Sequence, residues 1–499
     1  MRFEVLLGLS LLLFAAKGEI RPNGSSGAYS FYPPTGVFFY EQVIDHFTYD
    51  STDTFPQKYI VYDKFHKPGG PIFFYFGNEG GIEDFYNNSG AMFQYGPSFD
   101  ALLVFLEHRY YGTSQPFPNR ENLRYLTIEQ ALADTTAFLS NKRTVFNNYC
   151  ADSGSCKVIL FGGSYGGMLA AWHRLKFPHL TVGALAASAP VDLYPGESKE
   201  KAFYDSTIGV FNKYGGDSVC GDHISSLVET LPGFPYHDLT SAFRTCSPLK
   251  TSGDLEKLVF YVKGAFATLA MLDYPYPTTF VTPMPGKPVQ VACERFRKSG
   301  YRTLAGLNEA MNVFVNFTGS LRCHNVTMEM VGTSNSSKSA MASSRHFYVA
   351  SKGAPSDLGS IYRTWNYQTC TELILEPLTS DGNGFYVETK SQIKEVEATC
   401  KQRYGATAHT RALWMLHSFG NGEDIVKHTT NMIFSDGDKD PWSVGGVPFN
   451  ATNYDSSVFH INIEDSAHHQ DLRFSDKLDS PSLQRARSVE KESIKKWLS

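Results

Sequence analysis

Phe161-Gly-Gly-Ser-Tyr-Gly-Gly-Met-Leu-Ala170 lies between the apolar run Val158 to Phe161 and a helical pattern that continues through Ala171-Trp-His-Arg-Leu175. That order reads as strand, sharp turn, helix. A serine at such a turn is held in a strained conformation with its hydroxyl exposed, and the glycines at 162 and 166 let neighbouring backbone pass close to it. Ser164 therefore reads as a nucleophile. In a chain with 42 glycines a bare G-x-S-x-G is weak, and a glycine-rich turn is the competing reading. The flanks and the downstream partners shift the balance.

A serine hydroxyl needs a histidine to take its proton and an acid to hold that histidine in one tautomer. In the α/β-hydrolase arrangement the chain order is Ser, then Asp or Glu, then His. Two later segments supply them: Asn431-Met-Ile-Phe-Ser-Asp-Gly-Asp-Lys-Asp-Pro-Trp442, and Val458-Phe-His-Ile-Asn-Ile463 leading to Ala467-His-His-Gln-Asp-Leu-Arg473. Both loops follow strands, where such sites gather. Asp436, Asp438 and Asp440 compete for the acid role, and His468 and His469 for the base.

The elbow, Gly183-Ala-Leu-Ala-Ala-Ser-Ala-Pro190, Asp440-Pro-Trp442 and the 467–473 stretch resemble the family of prolyl carboxypeptidase and dipeptidyl peptidase II. Asp45-His-Phe47, Gly77-Asn-Glu-Gly80, Glu107-His-Arg-Tyr-Tyr-Gly112 and Tyr367-Gln-Thr-Cys-Thr-Glu372 extend the resemblance, in order, over nearly the whole chain. It implies Ser164 as nucleophile, Asp440 as orienting acid and His468 as general base. Asp436 departs from the family, which usually has Asn there; a solvated loop aspartate is the expectation, against an extra carboxylate that raises neighbouring pKa values.

The oxyanion hole needs two backbone N–H groups. Tyr165, directly after the nucleophile, is one, and Gly80, in the loop after the strand Pro71-Ile-Phe-Phe-Tyr-Phe76, is the expected second. Glu79 in that loop is a candidate for binding a substrate's free amino group. Met168 and Trp442 are candidates for an apolar slot suited to proline, ordinary core being the alternative for each, and the resemblance favours the slot. Arg473, paired with His469 in the family, either tunes the base or makes a structural ion pair. No cofactor is implied.

Composition fits a secreted hydrolase: 499 residues, 42% hydrophobic, with a net charge of −5, is enough for a core domain plus a second domain and leaves no basic field for nucleic acid. Residues 1–18 read as a cleavable signal peptide, and no later stretch is apolar enough to span a membrane. Glycosylation sequons occur at Asn23, Asn87, Asn316, Asn325, Asn335 and Asn450. Eight cysteines in an oxidising context predict disulfides; Cys150 and Cys156 can close locally, and the other six lie between 220 and 400, without metal-ligand spacing. Localisation is then the secretory pathway, lysosomal or extracellular.

Strand-like runs near 57–62, 71–76, 101–106, 157–161 and 181–187 alternate with helical patterns at 128–146 and 165–177, an α/β signature. The interval from Ser164 to Asp440 is far longer than short connections need, so an inserted domain lies between them. The expected organisation is an α/β-hydrolase doubly wound sheet in two parts, 40–193 and 409–499, with a mainly helical, disulfide-bearing cap at 194–408. Leu255 to Lys263 is helical, Thr333 to Ser344 is Ser-rich, and Ser482 to Leu498 forms a closing amphipathic helix. The reading is a serine exopeptidase acting on peptides after proline near a chain end, with Pro-Xaa carboxypeptidase ahead of a dipeptidyl peptidase. A lipase or esterase, or a non-catalytic secreted binding module, ranks lower. The oligomeric state stays open, a homodimer included.

Overall fold

The computed structural model describes residues 32–118, 122–150, 156–194, 199–326, 358–373, 397–398, 400–402, 404–405 and 410–499. The expected signal segment 1–18, the sequons at Asn23 and Asn335 and the Ser-rich stretch lie outside these residues. The described chain forms two compact units, one holding the sheet (residues to Tyr194, Arg411–Asp438 and Gly445–Ser499) and one mainly helical (Pro195–Thr410 with Lys439–Val444).

The sheet unit is built on eight strands: β1 Gly36–Val43, β2 Thr54–Tyr62, β3 Ile72–Phe76, β4 Leu102–Leu106, β5 Val158–Gly163, β6 Gly183–Ala187, β7 Met432–Gly437 and β8 Val458–Ile463. Their order is β1-β2-β4-β3-β5-β6-β7-β8. β1, β2 and β4 pair antiparallel, and every pair from β4 to β8 is parallel. β3 to β6 are apolar runs buried along their whole length, as required of parallel strands covered on both faces. The mixed order, with helices following the parallel strands, is the α/β-hydrolase fold expected from the motifs. β1 was not among the expected strands. Phe38 and Phe39 on it are exposed, so no inward-outward alternation marks it.

The helical pattern 128–146 is two helices, Ile128–Ser140 and Lys142–Val145, because Asn141 caps the first, its N–H reaching Ala137 O and Leu139 O. The last helix, Pro481–Leu498, starts with Ser480 accepting from Leu483 N–H. Its inner face buries Leu483, Ala486 and Ile494 but also Arg487, Glu490 and Ser493, so it is less plainly amphipathic than its pattern suggests.

In the helical unit, Ser252–Met271 contains the expected 255–263 helix and opens with a Thr251–Asp254 capping box. Phe211 and Phe266 meet edge to face at 5.4 Å within a core that includes Leu258, Val262, Phe296, Leu307 and Met311. Disulfides Cys220–Cys293, Cys246–Cys323 and Cys370–Cys400 staple this unit, and Cys150–Cys156 closes its short loop in the sheet unit.

The motifs at 45–47 and 107–112 meet at one buried ion pair. Arg109, fully buried, donates Nε–H to Asp134 Oδ2 (2.7 Å) and Nη2–H to Oδ1 (2.5 Å), and its other N–H groups reach the carbonyls of Val43, Ile44 and Tyr125. His46 Nε2 lies 2.8 Å from Asp134 Oδ1. Burial opposes ionisation of Asp134, but Arg109 and His46 together outweigh it and hold the carboxyl below its ordinary value. Removing one member strands the other charge in the core, at a cost of about 3–5 kcal/mol. Arg109→Met should therefore lower the thermal midpoint by several degrees, whereas a change at exposed Lys67 should not; equal melts would contradict this role.

Candidate active site

Ser164 sits between β5 and the helix Tyr165–Lys176 with φ 56° and ψ −126°, a region that non-glycine residues enter only under strain. Its N–H donates to Ala187 O (2.9 Å) on the neighbouring strand, and its carbonyl accepts from Met168 N–H (3.0 Å) to start the helix. The turn tolerates only glycine beside it. A Cβ on Gly162 would lie 2.1 Å from Gly166 O, and one on Gly166 would lie 2.4 Å from Asn78 Oδ1. Ser164 is half-buried while every residue from Tyr165 to Trp172 is buried, so the serine is the accessible group of the turn.

Asn78, in the loop 77–81 after β3, donates Nδ2–H to Gly163 O at 2.6 Å and accepts at Oδ1 from Tyr75 O–H at 3.3 Å. This side chain ties the expected oxyanion loop to the elbow. The block 107–109 fixes the surroundings. Glu107 accepts from the N–H groups of Ile82, Thr113 and Ser114 and from Ser114 O–H, and Lys58 Nζ lies 2.9 Å away. His108 Nδ1–H is committed to Arg109 O (2.7 Å), so Nε2 accepts from Tyr165 O–H (3.0 Å). Burial pushes the His108 pKa down to about 4, which keeps that tautomer neutral. Tyr165 is thus held by its side chain while its N–H stands directly after Ser164. Gly80 is buried in the loop. Glu79 beside it is 1% exposed, with Oε2 buried and lacking a hydrogen-bond partner.

The histidine loop belongs to the same unit. His468 is buried and its ring lies 4.5 Å from that of His469. His469 has φ 36°, donates N–H to Ser188 Oγ (2.7 Å), and packs its ring against Gly163. Burial first, then His468 and Arg473, keep its pKa well below the ordinary value, so His469 stays neutral. Arg473 donates to Asn88 Oδ1 at 3.0 Å. Arg487, from the last helix, donates to the carbonyls of Asp471, Gln470 and Arg473 and to Asp479. It therefore clamps the backbone just after the histidines. Asp471 accepts from Ser435 O–H at 2.5 Å, and Glu490 accepts from Tyr95 O–H at 2.8 Å. Burial and then the charge of Asp471 push the Glu490 pKa up to about 8.

The aspartates separate. Asp436 is not a solvated loop residue: it lies on β7, is 3% exposed, and its Oδ2 is 3.0 Å from His460 Nε2. His460 Nδ1 in turn faces Val447 O at 2.8 Å. The missed signal was that the strand pattern runs on to Gly437. Asp438 is half-buried and accepts from Ser466 N–H.

Asp440 groups with the helical unit. It is fully buried, and its Oδ1 accepts from Trp442 N–H at 3.0 Å. Its neighbour Lys439 pairs with buried Asp273 at 3.0 Å and lies over the Tyr214 ring, fixing the loop within that unit. Trp442 packs edge to face on Phe203 at 4.9 Å. Met168, in the sheet unit, is 2% exposed. Asn78, His108, Arg487 and His460 were not singled out from the sequence. The polar run Glu107-His-Arg directly after a wholly buried strand was the available signal.

A strained serine at a strand–helix elbow in this sheet defines a serine hydrolase of the α/β-hydrolase class. The profile of the family described as serine carboxypeptidase S28 matches residues 42–490. The chain is 36% identical to "Lysosomal Pro-X carboxypeptidase" of Homo sapiens over 93% of this chain and 88% of that one. It is 31% identical to "Prolyl carboxy peptidase like protein 5" of Caenorhabditis elegans, covering 99% and 96%, and 28% identical to "Thymus-specific serine protease" of Homo sapiens, covering 93% and 86%. The chain belongs to the serine carboxypeptidase S28 family and is a serine-type exopeptidase. No helix among the described residues is long and apolar enough to cross a membrane.

The Glu490 carboxyl gives a pH signature. Its folded pKa is about 8 against an ordinary 4.5, so its contribution to stability is full below about 4.5 and is lost as pH rises through about 8. Glu490→Gln removes this loss. The thermal midpoint of the variant relative to the wild type should therefore rise between pH 5 and pH 8.5. An offset that does not change with pH would contradict the assignment.

Proposed function

We propose that this protein is a Pro-Xaa carboxypeptidase of the secretory pathway, working in the lysosome, with Ser164 as nucleophile, His468 as general base and Asp440 as the acid that orients it. The single observation carrying this reading is the strained, accessible Ser164 at the elbow of a chain that aligns over 93% of its length with a lysosomal Pro-X carboxypeptidase. Among the aspartates, Asp436 and Asp438 are engaged within the sheet unit at His460 and at Ser466 N–H, which favours Asp440. Between the histidines, His469 is wedged at Gly163 and kept neutral, which favours His468. The disulfides and sequons support the compartment; of the sequons, Asn450 is exposed and Asn87, Asn316 and Asn325 are half-buried.

In this mechanism Ser164 Oγ bonds to the carbonyl carbon of proline as its proton passes to His468. The oxyanion takes N–H bonds from Tyr165 and from Gly80. Collapse breaks the C–N bond, His468 returns the proton to the departing amine, and water then cleaves the acyl-enzyme with His468 as base again. Met168 and Trp442 are assigned to the proline slot, and restriction to a chain end is assigned to the inserted segment 194–408.

The test uses two peptides, one N-blocked and ending in Pro-Xaa with a free carboxylate, the other beginning with a free Xaa-Pro and C-blocked. Loss of the terminal Xaa from the first, with kcat reduced about 10⁵–10⁶-fold in Ser164→Ala, is expected. Release of Xaa-Pro from the second alone, or activity that survives the substitution, would overturn the reading. Asn78→Ala, which frees the oxyanion loop from Gly163 O, should lower kcat by roughly 10–100-fold with little change in KM, because the hole it positions acts on the transition state.

A further inference from the structure

Buried carboxyls in the sheet unit come with partners. Glu107 has three backbone N–H groups, a hydroxyl and Lys58; Asp134 has Arg109 and His46; Asp471 has Ser435. A buried oxygen without a hydrogen-bond partner also occurs at Asp479 and Glu490, but those carboxyls are held at their other oxygen by Arg487 and by Tyr95 O–H; Glu79 has neither kind of partner from another element. It is 1% exposed, its Oε2 is shut off from water without a hydrogen-bond partner, and the groups acting on it are its own backbone, Asn78 and His468. No lysine or arginine is among them. Leaving a buried oxygen unpaired is costly, and such a group is explained where a ligand or a reaction uses it. Here the orphan lies on the loop expected to hold the oxyanion and within electrostatic reach of the expected base.

We propose that the Glu79 carboxyl, in its protonated form, receives the C-terminal carboxylate of the peptide and is the residue that makes the enzyme read that end. This deepens the carboxypeptidase reading and rests on it. A carboxylic acid O–H and a carboxylate form a short, charge-assisted hydrogen bond, and the unpartnered oxygen supplies the site. An amino terminus would require the opposite form, an ionised Glu79. Burial favours the neutral form: it pushes the pKa up to about 7, with His468 and hydrogen bonds from its own backbone and Asn78 acting only partly against it. The titratable groups that face it are His468 from the histidine loop and Tyr75 from β3; Lys58, Glu83 and Glu107 form a separate ion cluster at the start of the helix Ile82–Asn88. Glu79 is therefore protonated in an acidic compartment and ionised above neutrality, where it repels a carboxylate.

The readout is the ratio of kcat/KM for an N-blocked Xaa-Pro-Xaa free acid to that for its C-terminal amide, from pH 4.5 to 8.5, in wild type, Glu79→Gln and Glu79→Ala. Titration of His468 affects both substrates and cancels in the ratio. The wild-type ratio should fall about tenfold per pH unit above about 7. Glu79→Gln, which keeps an N–H donor, should retain part of the preference and lose its pH dependence. Glu79→Ala should lower the ratio at pH 5 by roughly 10–100-fold. A wild-type enzyme that cleaves the acid with a ratio indifferent to pH and to both variants overturns this proposal alone. Loss in Glu79→Gln confined to free-amine peptides puts the amino-end role in its place. A wild-type enzyme that leaves the acid intact and releases Xaa-Pro overturns both this proposal and the carboxypeptidase reading.

Discussion

The backbone at Ser164 is the constraint on which the site depends. At φ 56° and ψ −126° the residue stores strain of about 1–3 kcal/mol, and the surroundings have to over-determine it. They do so from three sides. Its N–H is anchored on β6, its carbonyl opens a helix, and the first turn of that helix comes so close to β5 that position 162 has no room for a side chain, while Asn78 and the carbonyl of Phe76 leave none at 166. Asn78 then uses the carbonyl of Gly163 to hold the oxyanion loop, and the ring of His469 lies on the same glycine. Nucleophile, oxyanion loop and histidine loop are therefore registered against one strand end.

A second layer supports that registry by burying charge with hydrogen-bonded partners. Arg109 with Asp134 ties the first hairpin to the helix Ile128–Ser140, Glu107 gathers the loop after β4, and Arg487 gathers the loop after the histidines. Buried ion pairs of this kind add little net stability against an apolar core, but they penalise every arrangement in which a partner is missing. Glu79 and Glu490 work differently. Both are buried carboxyls with raised pKa values, so both favour the folded, proton-bound state on the acidic side of neutrality.

Much of the fold was legible because its signals are local. A buried apolar run, glycines around a serine and a helical continuation mark β5 and its elbow, and the order of later loops after short strands gives the sheet its second half. β8 has the bounds read for it, Val458–Ile463. β1 escaped because an exposed edge strand needs no alternating pattern, and Asp436 was misread because a carboxylate on a strand end looks like the start of a loop until His460 on the adjacent strand is seen. The supporting residues of the site were hidden for a related reason. Asn78, His108 and Arg487 act through partners 85, 57 and 17 positions away or nearer, and nothing in their local sequence names those partners.

The most direct measurement is peptide mapping by mass spectrometry after reaction with an N-acyl-Xaa-proline phosphonate ester, which traps an activated serine in a proline-accepting site. The account predicts one adduct, on Ser164, formed faster than with a matching phosphonate that has a large aromatic side chain in place of proline. An adduct on another serine, or no adduct in a preparation that still hydrolyses Pro-Xaa peptides, would contradict it.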